Sequence, residues 1–179
     1  MTDRAWRLLV AVTAAAGVVL AAQRYDVWWT ALSQLANLAV AVGFLVMAVR
    51  EPRSPWLRGA LTSVMLLVAV AYLPMANGNL TQPWSILEHV ITPALVVADF
   101  LYRGDNQHRV RWWHPLTWLA APAAYLAWYV GADLAVYAAL DPAAATFVPR
   151  VGVLLVLLLA AGYACYASGV LRRRGTLTT

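Results

Sequence analysis

Lysine is missing from this sequence, cysteine occurs once, and charged side chains of all kinds make up only 12% of it. The single Cys165 excludes an internal disulfide and a cysteine-based metal cluster. The scarcity of charge excludes an ordinary soluble domain, which carries roughly 25% charged and 45–50% apolar residues. Hydrophobic residues are abundant: they form 63% of the 179 positions, and mean hydropathy is +0.66. The expected fold is therefore all-α, a polytopic transmembrane bundle. All 13 basic residues are arginine, which together with the alanine content points to a GC-rich bacterial genome and a plasma-membrane location. The net charge of +5 does not imply a nucleic-acid partner, because the arginines follow a membrane pattern.

Six apolar segments are expected to cross the membrane, as one domain over residues 1–179. They run at about 5–22, 28–49, 57–75, 84–102, 116–131 and 148–171. About 20 residues at 1.5 Å each cross a ~30 Å hydrocarbon core, so the fifth segment is short. Pro122 is expected to kink it. The first segment, with Arg4 and Arg7 ahead of its apolar run, also has the outline of a secretory signal peptide. Reading it as a span leaves eleven arginines at the N-terminus, in alternate loops and in the tail, including Arg53 and Arg174. Arg24 and Arg150 stand alone on the other side. The positive-inside rule then places both termini in the cytoplasm. Tryptophans near the segment ends, such as Trp28, Trp29, Trp84, Trp112 and Trp113, fit interfacial belts.

The segment from Trp84 to Arg103 organises the rest. It carries Glu88, His89 and Asp99, and an ionisable group at membrane depth costs on the order of 2.5–3.5 kcal/mol on insertion scales, so it marks a site or a partner. Thr30, Ser33, Gln34 and Asn37 recur at i, i+3, i+4 and i+7, which predicts one polar helical face. Thr30 and His89 are expected within about 5 Å of one depth, counted at 1.5 Å per residue. A hydroxyl and an imidazole at one level can be nucleophile and base. The same residues can equally be interhelical hydrogen-bond glue. Glu88 either orients the surroundings of His89 or faces an outer water pocket. Thr92 is expected to satisfy a carbonyl of its own span, beside a kink at Pro93. Asp99 is expected to pair with Arg103 at i+4, or with another inner arginine. Tyr137 to Asp141 is either a lid or a plain connector.

No metal or other cofactor is expected. A zinc hydrolase needs about three N, O or S ligands around an open position. Asp99 lies ~15 Å along the helix from His89 and cannot join it.

Three stretches resemble the androgen-induced membrane proteins and their bacterial six-span relatives: Trp28-Trp29-Thr30-Ala31-Leu32-Ser33-Gln34, His89-Val90-Ile91-Thr92-Pro93, and Pro122-Ala123-Ala124-Tyr125. Characterised animal members hydrolyse fatty acid esters of hydroxy fatty acids with a threonine nucleophile and a histidine. The resemblance implies those roles for Thr30 and His89, with membrane lipids or fatty acid esters as partners and a site near the outer face. Ser33, Gln34, Asn37 and Glu88 are candidate binding or oxyanion groups, and Tyr137 and Asp141 candidate lid residues. The chain departs from the family at Gln34, where the family has Asn. It departs again over Ala135-Val136-Tyr137-Ala138-Ala139-Leu140-Asp141, a shortened form of an aromatic, proline-containing loop. The rival reading is a non-catalytic lipid-binding or small transporter-like protein. The oligomeric state is not encoded in any feature read above.

Overall fold

The structure, a computed structural model, describes residues 1–50, 54–75, 80–103, 106–134 and 136–175. Arg53 and Ala135 lie outside the described residues, as does the side chain of Arg174. Those residues form helices and connecting turns, with no strand among them. We number the main helices α1 (Asp3–Arg24), α2 (Leu32–Arg50), α3 (Pro55–Met75), α4 (Pro83–Arg103), α5 (Ala120–Gly131) and α6 (Phe147–Gly175). Five of them, all but α5, are long and apolar enough to cross a membrane.

Sequence explains how the bundle closes. The buried stripe of α1, Arg7, Val10, Ala11, Ala14, Gly17, Val18 and Ala21, follows the helical repeat and is built mostly of small residues. Small side chains let helix backbones approach closely in an apolar medium. At Gly17 the approach is close: a Cβ there would lie 3.0 Å from Glu88 Cγ of α4. Val40, Phe44 and Met47 of α2 meet Leu61, Met65 and Val68 of α3 in the main core, and Val96 of α4 joins them. A second cluster, Phe100, Val110, Trp118 and Cys165, ties α6 to the loop after α4.

One end of the bundle is held by arginines. Arg7 donates to the Met47 carbonyl at 3.0 Å, Arg173 to the Val110 carbonyl at 3.0 Å, and Arg103 to Asp3 at 3.3 Å. Arg58 of α3 and Asp99 of α4 form a buried ion pair. Asp99 thus pairs across helices rather than with Arg103, which is turned toward the N-terminus instead.

Two expected spans are interrupted. The second does not run unbroken from Trp28: Trp28–Thr30 is a 3-10 turn, Ala31 is extended (φ −89, ψ 137), and the α-helix starts at Leu32. The fifth divides into His114–Thr117 and α5, with Trp118 and Leu119 between them. Pro122 sits in the first turn of α5, where the missing N–H has no helical partner to lose, so it opens the helix instead of kinking it. With 12 residues, α5 is only about 18 Å long.

Candidate active site

The turn that carries Thr30 is held by tyrosines. The Tyr125 hydroxyl donates to the Thr30 carbonyl at 2.8 Å. The Leu32 N–H donates to the Tyr137 hydroxyl at 2.9 Å. These phenols satisfy backbone groups that an uninterrupted helix would pair internally, which is why the chain can leave helical geometry at Ala31. Tyr129, one turn along α5 from Tyr125, accepts from the Tyr137 N–H at 3.2 Å and is itself wholly buried. Arg150 of α6 donates to the Ala139 carbonyl at 2.7 Å. The segment expected as lid or connector is therefore pinned at Tyr137 and at Ala139. Burial holds the Tyr137 phenol above its ordinary pKa, so it serves as a neutral acceptor at the start of α2.

His89 lies on a π turn, Leu87–Ile91. Pro93 has no N–H to offer the His89 carbonyl, and the ladder widens locally, with the Thr92 N–H reaching Leu87. The Pro93 effect is thus an insertion in the helix at the level of His89. The imidazole is fixed from several sides. Its Nδ1 lies 3.0 Å from the Ser85 carbonyl. A carbonyl only accepts, so Nδ1 carries the proton and Nε2 presents a lone pair. Tyr72 of α3 stacks on the ring, with centroids 3.4 Å apart and planes at 18°. Trp84 meets it edge-on at 6.2 Å. The Ser85 hydroxyl donates to the Tyr72 hydroxyl at 2.9 Å, so one residue positions both rings.

A cavity of about 730 Å³ opens between these elements. Thr30, Ser33, Gln34, His89 and Tyr137 all line it, and apolar residues of α3, α5 and α6 complete its wall. Thr30 and His89 thus face one space, from different helices. They do not bond to each other: the Thr30 hydroxyl donates to the Val27 carbonyl at 3.0 Å.

The other candidates lie elsewhere. Asn37 is wholly buried, and its amide donates to the Ser33 carbonyl at 2.9 Å and the Glu88 carbonyl at 3.3 Å, stitching α2 to α4. Glu88 is wholly buried behind it, with the Ser33 hydroxyl beside its carboxyl and neither carboxyl oxygen in a well-formed hydrogen bond among the described residues. It faces Gly17 of α1 and is not among the residues lining the cavity. The expected bond from Thr92 to a carbonyl of its span is absent among the described residues, although the side chain is wholly buried. Asp141 is exposed and closes a turn by accepting from the Ala143 N–H at 2.8 Å. No three His, Cys, Asp or Glu side chains converge as metal ligands among the described residues.

Sequence reading missed Tyr72 and Ser85, and gave Tyr125 no role beyond its place in a motif. Tyr72 carries no signal other than a phenol within an apolar helix. Comparison with known proteins finds no matching family model, no matching curated protein and no matching solved structure.

Proposed function

We propose that this chain is a membrane-embedded lipid ester hydrolase of the threonine type, with Thr30 as nucleophile and His89 as base. One observation carries the reading: Thr30 and His89 line a single cavity, and the Ser85 carbonyl fixes the imidazole tautomer that leaves Nε2 free to accept a proton. In the reaction the Thr30 hydroxyl turns from Val27 toward the ester, and its oxygen bonds to the carbonyl carbon as His89 takes the proton. Collapse of the tetrahedral intermediate breaks the bond to the alcohol oxygen, which receives that proton from His89. Water, deprotonated by the same imidazole, then cleaves the acyl-threonine. Gln34 and Ser33 line the cavity, and in this reading they donate to the developing oxyanion, Ser33 once its hydroxyl turns from the Glu88 carboxyl, a contribution worth roughly 2.7–4 kcal/mol of barrier per donor.

The six-span reading, with both termini cytoplasmic and the site near the outer face of a bacterial plasma membrane, belongs to the same proposal. Its support is the gathering of Arg7, Arg58, Arg103 and Arg173 at the bundle end opposite the cavity. In this arrangement the segment from Leu116 through α5 makes the fifth crossing, with His114 just ahead of it.

A reactive phosphonate ester tests the assignment. The native protein in liposomes is expected to be labelled on Thr30, with labelling lost in His89→Ala. The bond from Thr30 to Val27 favours the rival, a lipid-binding protein, and that reading takes over if phosphonate never reaches Thr30 in folded protein.

A further inference from the structure

We infer that the cavity takes the chain of an uncharged lipid ester, and that this chain enters sideways from the bilayer through a gap between α5 and α6. The ester part rests on the hydrolase reading; the route and the charge preference do not. Residues lining the cavity recur at 119, 122, 123 and 126 on α5 and its first turn, and at 151, 154, 155 and 158 on α6. Each set is i, i+3, i+4, i+7, one face of one helix. Two helices that both turn an apolar face to the same cavity are held apart along those faces. Ala123 and Leu155 line the cavity and are both exposed, Leu155 by 46%, and among the described residues no extensive packing of α5 against α6 seals the space between them. Leu155 is well inside α6, within its membrane-spanning stretch. The mouth there faces lipid chains.

The occupant follows from the lining. Polar groups gather at the α2 and α4 end, around Thr30, Gln34 and His89, while the α5 and α6 walls are apolar apart from Tyr125, whose hydroxyl is turned to the Thr30 carbonyl. Among the described lining residues there is no arginine, aspartate or glutamate. A carboxylate or phosphate drawn inside would therefore meet no fixed cation, only His89, which is neutral unless it takes up a proton, and an unpaired buried charge is strongly disfavoured. An ester carbonyl at the polar end with an aliphatic chain toward the gap matches both halves. The volume of about 730 Å³ falls in the range of roughly 300–1,000 Å³ typical of small-molecule sites.

The test uses the full chain in liposomes with two fluorescent polyene probes, a neutral fatty acid methyl ester and the free fatty acid. Energy transfer from tryptophan reports capture, and the part of the signal lost in Trp84→Phe, whose side chain lines the cavity, defines the site. The methyl ester is expected to bind saturably, and the ionised acid about tenfold more weakly or worse, as for a polar group offered no partner. Ala123→Phe, which fills the gap, should slow capture of the methyl ester about tenfold, and Leu155→Ala should speed it. Native capture rates in both variants would overturn the lateral route, and equal binding of acid and ester would overturn the charge preference. If native protein hydrolyses no ester while capture follows the expected pattern, the hydrolase reading fails and the route stands. If phosphonate labels Thr30 while both variants capture normally, the route alone fails.

Discussion

The Tyr125 hydroxyl donates to the Thr30 carbonyl across 95 residues of chain, so α5 holds the turn that carries the proposed nucleophile. Tyr137 holds the other side of the same turn through the Leu32 N–H. Tyr125→Phe keeps the ring and removes only the donor, and an orphaned carbonyl of this kind costs roughly 1–3 kcal/mol. We expect a modest fall in thermal stability in detergent and a larger fall in kcat than rise in KM for a long-chain ester. Unchanged kcat in Tyr125→Phe would show that the turn keeps its geometry without this bond.

The helical class and the main apolar segments were legible because length and hydropathy decide them locally. The polar stripe of α2 was legible only in part. Ser33, Gln34 and Asn37 follow the helical repeat, but Thr30 departs from it because phenols more than 90 residues away take over its backbone bonds. Periodicity carries no record of such partners. The expected shared depth of Thr30 and His89 was a one-dimensional count, and it carried no information on whether the two face one cavity. The withdrawal of Asn37 and Glu88 from it depends on which way α2 and α4 are rotated, and spacing does not encode that. Asp99 offered Arg103 or any other inner arginine as its partner in sequence, and packing of α3 against α4 chose Arg58.

The buried Arg58–Asp99 pair predicts a stability effect separate from catalysis. Both side chains are almost fully enclosed, so removing one charge strands the other. Asp99→Asn should destabilise by roughly 3–5 kcal/mol. It should leave ester turnover per folded molecule near native, measured after size-exclusion selection of monodisperse protein. A turnover loss in well-folded Asp99→Asn would move the pair into the chemistry.

Glu88 predicts the opposite sign. Its carboxyl is enclosed by α1, α2 and α4 without a well-formed hydrogen bond among the described residues, which burdens the fold. Glu88→Gln has nearly the same shape and removes the potential charge. We expect the midpoint of thermal unfolding in detergent to rise or hold steady. A clear drop would mean that the carboxyl has a partner essential to the native state.

His114 predicts a pH dependence. It is buried just ahead of the fifth span, and burial, then the Arg111 charge, hold its pKa below the ordinary histidine value of 6.5. Its Nδ1 accepts from the Arg111 N–H at 3.3 Å, a bond available only to the neutral ring. The unfolded chain takes up the proton first as pH falls, so the His114 contribution is complete above about 6.5 and is lost as pH drops from there toward the lower folded value. His114→Asn places an amide oxygen where Nδ1 accepts. Its unfolding midpoint should therefore fall less steeply than native between neutral and mildly acidic pH. Parallel curves would assign the acid sensitivity to other groups.

The decisive prediction concerns Thr30 and His89 as a unit. A threonine hydroxyl is a weak nucleophile until a base comes within roughly 2.6–3.2 Å, and in the resting structure its proton is directed to Val27 instead. Rotation about the side chain must therefore precede attack, and His89 gives that rotation a destination. Thr30→Ala and His89→Ala should each remove most turnover of a neutral long-chain ester. Residues that act as one device are not additive, so the double variant should be hardly slower than either single one. Thr30→Ser sheds a methyl, keeps the hydroxyl and should retain part of the rate. Independent losses that multiply in the double variant would mean that the two side chains act in separate steps. Native rates in both folded alanine variants would end the threonine mechanism, and Ser33, the other aliphatic hydroxyl among the described lining residues, would be the next residue to replace.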